Sequence, residues 1–284
     1  MKIVKTVVQL QETLAPYREK KSTIGLVPTM GALHVGHASL IDRSVEENEI
    51  TVVSLFVNPT QFNNSNDLES YPRTFDADCE LLESHGATIL FAPSVKEIYP
   101  EKDNRIFNYA PIDSVMEGAM RPGHFNGVCQ IVSKLFYAVK PIHAYFGEKD
   151  FQQLAVIRCM VKDLKLPIKI VGCPIVREKS GLAFSSRNAR LTEKQRNLAI
   201  KISAVLRESI NFAASNGVVE TKQFVEDAIA AAEGLEIEYF EIVDGRTMQT
   251  ISSWDDTDYV MGCITVFCGE VRLIDNICYR GQAY

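Results

Sequence analysis

Short apolar runs alternate with helix-like stretches over the first two-thirds of the chain. Residues 22–28 contain a brief apolar strand, and residues 51–57, rich in β-branched side chains, read as a buried one. Residues 88–91 are strand-like and stop at Pro93, residues 143–146 form another short strand, and a further strand begins over 168–171. Between them, residues 36–47, 74–85, 126–139 and 151–164 read as helices, with Gly86 placed to cap the second. Strands separated by helices predict βαβ units and a mainly parallel sheet.

The pattern changes after about residue 176. Thr192 reads as an N-cap with Gln195 as its capping-box partner. Helix-like runs at 193–215 and 219–233 are separated by Asn216-Gly217, and strand-like runs follow at 236–243, 259–267 and 271–274. Helices followed by strands predict a smaller α+β unit. The expected architecture is α/β: a Rossmann-like parallel-sheet N-terminal domain over residues 1–175 and a smaller α+β C-terminal domain over 176–284. Residues 95–113 are irregular and polar, and are expected to form a surface flap.

Composition narrows the function classes. The 284 residues are 46% hydrophobic and 23% charged, ordinary values for a folded globular chain. Thirty Lys and Arg against 36 Asp and Glu give a net charge of −6, so a strongly basic nucleic-acid footprint is absent. Seven cysteines, an odd number with no Cys-x-x-Cys pair, read as reduced thiols in a cytosolic protein. The N-terminal apolar run is broken by Lys5 and Gln9, so no signal peptide is expected. No apolar run reaches the length of a membrane span.

The most informative stretch is VPTMGALHVGH, residues 27–37, which follows the first predicted strand and precedes a helix. Parallel α/β sheets bind ligands at the carboxyl ends of their strands, where helix N-termini favour phosphate. Gly31 suits a tight turn, and Gly36 suits a close approach to a ligand. His34 and His37, three apart, can face one side of the first helical turn and stabilise charge developing at a phosphorus centre. Two partly exposed histidines at a helix start, or a His-x-x-His metal pair without a nearby third ligand, are the other readings. Neither a Gly-x-Gly-x-x-Gly fingerprint nor a Gly-Lys-Ser/Thr P-loop is present.

Three further segments fall after predicted strands or in a polar loop. Gln61 in NPTQF offers an amide suited to hydroxyls or a carboxylate, although an Asn-Pro turn alone is usually only a turn. In FGEKDFQQ, Lys149 can meet a phosphate, Asp150 can accept from ribose or cap a helix, and Gln153 lies one turn further on. Residues 177–190 carry Arg177, Lys179, Arg187 and Arg190 against Glu178, with Ser185 and Ser186 among them. Such a loop can close on a polyphosphate or be a solvated basic loop. Arg121 and His124, a cation and an imidazole in a predicted turn, are a lesser candidate that reads as structural rather than catalytic. Together the segments predict one cleft holding a nucleoside triphosphate beside a small polar substrate.

The stretch from His34 to His37 resembles the "HIGH" signature of the nucleotidyltransferase superfamily. More narrowly, the chain resembles the pantothenate synthetase family (pantoate–β-alanine ligases). The matching stretches are VPTMGALHVGH, FVNPTQF, YPRTFDAD, FAPSVKEIYP, EGAMRPGHFNGV, VSKLF, YFGEKDFQQL, GLAFSSRN and RLIDN, spread over residues 27–276. The resemblance implies a cytoplasmic homodimer in coenzyme A biosynthesis. It would join pantoate to ATP, with Mg²⁺, as pantoyl adenylate, and then transfer the acyl group to β-alanine. It implies an ATP- and pantoate-binding first domain and a second domain that closes over the substrates.

Carried over by position, the resemblance assigns Met30, Gly31, Ala32, Leu33, His34, Val35, Gly36 and His37 to ATP. His37 matches the family's acid, and both histidines are expected mainly to stabilise the departing pyrophosphate. Gly147, Glu148, Lys149 and Asp150 are also assigned to ATP, as are Val176 at adenine and Phe184, Ser185, Ser186 and Arg187 in the closing loop. Lys149, Ser185 and Arg187 are expected at the phosphates. Gln61 and Gln153 are assigned to pantoate, Gln61 also lying near β-alanine. No resident metal site, nucleic acid or membrane partner is expected. Val35 stands where the family is often acidic, Phe184 where Leu or Met is commoner, and Gln130 where a small hydroxyl residue is frequent; none removes a polar ligand group. A nucleotidyltransferase using a phosphate-bearing acceptor, an aminoacyl-tRNA synthetase-like protein and a nucleotide sensor are the rival classes.

Overall fold

The computed structural model describes residues 1–281, and the last three residues of the expected second domain lie outside that range. Six parallel strands form the larger sheet: β1 (Lys2–Val4), β2 (Ile24–Thr29), β3 (Ile50–Leu55), β4 (Ile89–Phe91), β5 (His143–Gly147) and β6 (Lys169–Cys173). Their spatial order is β1–β4–β3–β2–β5–β6. The chain steps outward from β2 to β3 and β4, then returns to build β5 and β6 on the other side. The carboxyl end of β2 therefore lies at the reversal of strand order, where open α/β sheets leave a crevice.

Helices cover both faces of this sheet, so its central strands are buried almost throughout. On one face α1 (Val7–Glu19), α7 (His124–Val139) and α8 (Phe151–Asp163) pack with Leu26, Val52 and Phe146. On the other, α2 (Val35–Glu47) and α4 (Phe75–Ser84) pack with Val27, Val53 and Tyr145. Short helices α3 (Ser65–Glu69), α5 (Val95–Ile98) and α6 (Glu117–Met120) lie in the connections.

The second sheet is antiparallel and three-stranded: β7 (Leu235–Asp244), β8 (Val260–Cys268) and β9 (Val271–Arg280). Its core is shared with α9 (Glu193–Ala213) and α10 (Val218–Ala230). A separate apolar cluster joins Phe151 and Ala155 of α8 to Val243, Met261 and Cys263 of this sheet. The small sheet is thus welded to the large unit by packing as well as by the chain. No helix among the described residues is long and apolar enough to cross a membrane.

The Thr192–Gln195 capping box forms as expected. Three features depart from the pattern-based expectation. Residues 2–19 form β1 and α1, although polar residues interrupt the apolar run. β9 continues beyond residue 274 because Asp275 and Asn276 are buried with partners: Arg177 on Asp275, and the carbonyls of Glu148 and Lys149 on the Asn276 amide. The expected flap at 95–113 is instead a strap fastened to α7. Gln130 Nε2 donates to the carbonyls of Asp103 and Arg105, and Arg105 donates to Ser133 Oγ. Phe107, Tyr109 and Ile112 pack on the main core.

Candidate active site

The turn after β2 hangs on one buried carboxylate. Asp78, 2% exposed at the start of α4, accepts the N–H of Ala32 at 3.0 Å and of Leu33 at 2.7 Å. Gly31 and Ala32 both take positive φ there, which accounts for a glycine at the first. The chain then enters α2 with His34 as N-cap.

Both histidines are committed through one ring nitrogen. His34 Nδ1 accepts the Gly36 N–H at 3.1 Å, and His37 Nδ1 accepts the His34 N–H at 3.3 Å. With Nδ1 used as acceptor, each neutral ring carries its proton on Nε2. The rings lie 4.1 Å apart, and Phe184 stacks on His34 at 6.0 Å. Burial, then the Lys149 ammonium, pulls His34 down to about 4. Burial, then His34 and Lys149, pulls His37 down to about 3. Near neutral pH the pair is therefore uncharged. Gly36 is small because an added Cβ would meet the His34 ring at 2.9 Å, so its space is taken by that imidazole rather than by a ligand.

Gln61 ends a 3₁₀ turn, Pro59–Gln61, directly after β3. Its Oε1 accepts from Asn58 Nδ2 at 3.1 Å, and its Nε2 faces Met30 Sδ at 3.2 Å. Asn58 is buried and also donates to the Gly127 carbonyl. A Cβ on Gly127 would collide with the Thr60 carbonyl, so only glycine lets α7 approach this turn. After β5 a second 3₁₀ turn, Glu148–Asp150, leads into α8. Asp150 occupies the N-cap position without a side-chain cap bond, and Asn276 holds the Glu148 and Lys149 carbonyls from β9.

These strand ends open into one cleft. Met30, His34, Gly36, His37, Gln61, Gly147, Lys149, Asp150, Gln153, Val176 and Phe184 through Arg187 all border it. Gly31, Ala32, Leu33, Val35 and Glu148 do not border it. The first three shape the turn on Asp78, and Val35 faces outward.

The basic loop brings less charge to the cleft than its composition suggests. Arg177 is bound through two nitrogens to Asp275 at 2.6 and 2.8 Å, and Arg196 bonds Glu178. Arg190 pairs with Asp67 at 3.1 Å. Arg187 alone of these arginines borders the cleft, with Nη2 on Asp67 at 2.9 Å. Ser186 Oγ donates to the Ala32 carbonyl at 3.1 Å, tying the loop to the β2 turn.

Several wall residues escaped the sequence reading. Arg121 and His124, read there as structural, both border the cleft. His124 Nδ1 donates to the Gln61 carbonyl at 2.8 Å. Tyr71 and Phe56 line the cleft, as does Ser54, whose buried hydroxyl has no protein partner. The stretches around Tyr71 and Arg121 were visible as matching motifs without assigned chemistry; Ser54 carried no signal beyond its strand. Asp150 is the only carboxylate on the cleft wall among the described residues. Among them, no group of three His, Cys, Asp or Glu is arranged to hold a metal.

Comparison with known proteins gives a consistent picture. The family model described as pantoate-beta-alanine ligase matches residues 2–278. A pantothenate synthetase of Bacteroides fragilis is 66% identical over 280 residues, covering 99% of both chains. One from Porphyromonas gingivalis is 55% identical, covering 99% of this chain and all of the relative. The crystal structure of pantothenate synthetase from Thermus thermophilus superposes with a TM-score of 0.93 at 41% identity, covering 99% of this chain and 100% of that one. The ligase from Francisella tularensis, described as complexed with beta-gamma ATP and beta-alanine, gives 0.81 at 38% identity, covering 98% of each.

Proposed function

The chain belongs to the pantoate–β-alanine ligase family and joins pantoate to β-alanine with ATP through pantoyl adenylate, and we propose the following division of labour within its cleft. A pantoate carboxylate oxygen attacks the α-phosphorus of ATP, and the bond to the β-phosphate breaks to release pyrophosphate. The β-alanine nitrogen then attacks the acyl carbon, the bond to phosphate breaks, and AMP leaves. Because the attacking group comes from the substrate, catalysis needs positioning and charge stabilisation rather than an enzyme nucleophile.

One observation carries the assignment. Two neutral imidazoles with Nε2–H donors stand at the end of β2 in the same cleft as Lys149, after β5. His34 and His37 donate to triphosphate oxygens, Lys149 supplies the positive charge, and Ser185, Ser186 and Arg187 complete the phosphate side. Met30, Gly36, Gly147, Val176 and Phe184 shape the nucleotide wall, while Gly31, Ala32, Leu33, Val35 and Glu148 support it from behind. Asp150, uncommitted at its N-cap position, accepts from ribose hydroxyls. Gln61 and Gln153 bind pantoate, with Gln61 beside the β-alanine position.

Mg²⁺ enters with the nucleotide as MgATP. A single carboxylate on the cleft wall among the described residues fits an ion that would be held mostly by phosphate oxygens and water. When bound, it neutralises phosphate charge. Residues 1–175 form the binding part and 176–284 the part that closes over it. The protein acts as a cytoplasmic homodimer, a setting in keeping with its seven free thiols. Single-turnover adenylation tests the phosphate roles. Lys149→Ala and His37→Ala are each expected to slow it by about 100-fold or more, the scale of one lost charge-stabilising donor. Unchanged rates would remove those roles, and sedimentation of the purified protein checks the dimer.

A further inference from the structure

The small sheet grips the cleft through a buried carboxylate to which the proposed mechanism gives no part. Glu117 starts α6 and is 9% exposed. All three strands of the small sheet reach it. Arg272 of β9 binds both its oxygens at 2.6 and 2.9 Å, Tyr239 of β7 donates at 2.8 Å, and Thr265 of β8 donates at 3.0 Å. Arg272 is also paired with Glu238. From the other side, Gln152 of α8 accepts the Glu117 N–H at 3.0 Å.

One turn onward the same carboxylate faces Arg121 at 3.6 Å. Arg121 Nη1 lies 3.3 Å from His124 Nε2 and donates to its lone pair, because His124 Nδ1 must hold the ring proton to reach the Gln61 carbonyl at 2.8 Å. Arg121 Nη2 reaches that carbonyl at 3.4 Å. Every donor in this line meets an acceptor, running from a carboxylate through a guanidinium and a neutral imidazole to the backbone of Gln61.

We propose that Glu117 is a positioning residue for the pantoate end of the cleft, carrying the grip of the three-stranded sheet through Arg121 and His124 to Gln61. The small sheet then does more than close the cleft: it sets where the Gln61 amide stands. The inference rests on the assignment of Gln61 to pantoate. The nucleotide end hangs on Asp78 and on Asn276 instead, so disturbing Glu117 should leave ATP largely unaffected.

Steady-state kinetics on Glu117→Gln, Tyr239→Phe, His124→Ala, Gln61→Ala and the Glu117→Gln/His124→Ala double variant test this. Glutamine still accepts from Tyr239 and Thr265 but lacks the charge that holds Arg121. The pantoate KM of Glu117→Gln should rise by about three- to thirtyfold, with the ATP KM within about twofold. That rise should vanish when His124 is already alanine. Equal changes in both KM values, or an undiminished effect in the double variant, would overturn the proposal. Should Glu117→Gln not fold, Tyr239→Phe decides: a pantoate-selective rise of about twofold or more supports the tether, and an unchanged pantoate KM overturns it. Gln61→Ala separates the two levels. An unchanged pantoate KM there removes the Gln61 assignment and the tether with it. A raised one, beside an unaffected Glu117→Gln, removes the tether alone.

Discussion

His37 Nδ1 accepts the backbone N–H of His34 at 3.3 Å, so the cap that starts the helix also decides which nitrogen of the His37 ring carries a proton. His34 does the same through the Gly36 N–H. Local helix chemistry thus delivers two Nε2–H donors without help from a distant carboxylate.

A pH dependence follows. His34 and His37 stand at about 4 and about 3 in the folded protein, with burial as the first cause, and His124 at about 4 for the same first reason. Unfolding would return each to about 6.5. Between these values the unfolded chain binds more protons than the folded one, so stability falls as pH drops below about 6.5 and levels off near the folded values. Denaturant midpoints measured from pH 7.5 to 4.5 should decline, and nitrogen NMR of the ligand-free protein should show the His34 and His37 imidazoles neutral and protonated on Nε2 at pH 6. A folded-state transition near 6.5 for either ring would contradict this.

Gln153 borders the cleft from the first turn of α8 and offers a neutral amide that can satisfy hydroxyls without trapping a carboxylate. Gln153→Ala is expected to raise the pantoate KM by about tenfold, the worth of about 1.4 kcal/mol, and the ATP KM far less. Parallel changes in the two would count against its assignment.

Asp67 links α3 to the loop that carries Arg187 and Arg190. It occupies only Nη2 of Arg187, leaving Nε and Nη1 free for phosphate, so it orients the guanidinium more than it competes for it. Asp67→Asn should raise the ATP KM by about fivefold, corresponding to about 1 kcal/mol, with little change for pantoate. A lower ATP KM would mean that Asp67 blocks the loop.

Asp78 is expected to matter for both stability and rate. Asp78→Ala strands two N–H groups in a half-buried turn, at a cost of about 1–2 kcal/mol each. Chemical denaturation should report a loss of about 2–4 kcal/mol, and single-turnover adenylation should slow because the turn bearing Met30 and His34 loses its anchor. Wild-type stability would show that water replaces the carboxylate.

Much of this architecture was legible in the residues, for identifiable reasons. The central strands are apolar on both faces and short, and the Thr192–Gln195 cap is local, so periodicity and capping chemistry locate them. β1 and α1 were obscure because only Leu10 and Leu14 of the helix are buried. The end of β9 was obscure because its polar residues are satisfied by partners 98 and 128 residues away. The same limit applied in the cleft. The His34–His37 turn carries its geometry within four residues, whereas the charge of Arg177 and Arg190 is claimed by Asp275 and Asp67, which spacing does not reveal. Arg121 and His124 looked like a plain turn because the Gln61 carbonyl that meets both lies 60 and 63 residues away along the chain.

The most direct test is pyrophosphate–ATP exchange with purified protein, Mg²⁺ and pantoate, with β-alanine left out. Exchange that requires pantoate is the expected result, since pantoate and ATP suffice for reversible adenylate formation; adding β-alanine should then yield pantothenate and AMP. Folded protein that binds ATP yet shows no pantoate-dependent exchange would contradict the assignment of this cleft to acyl adenylation.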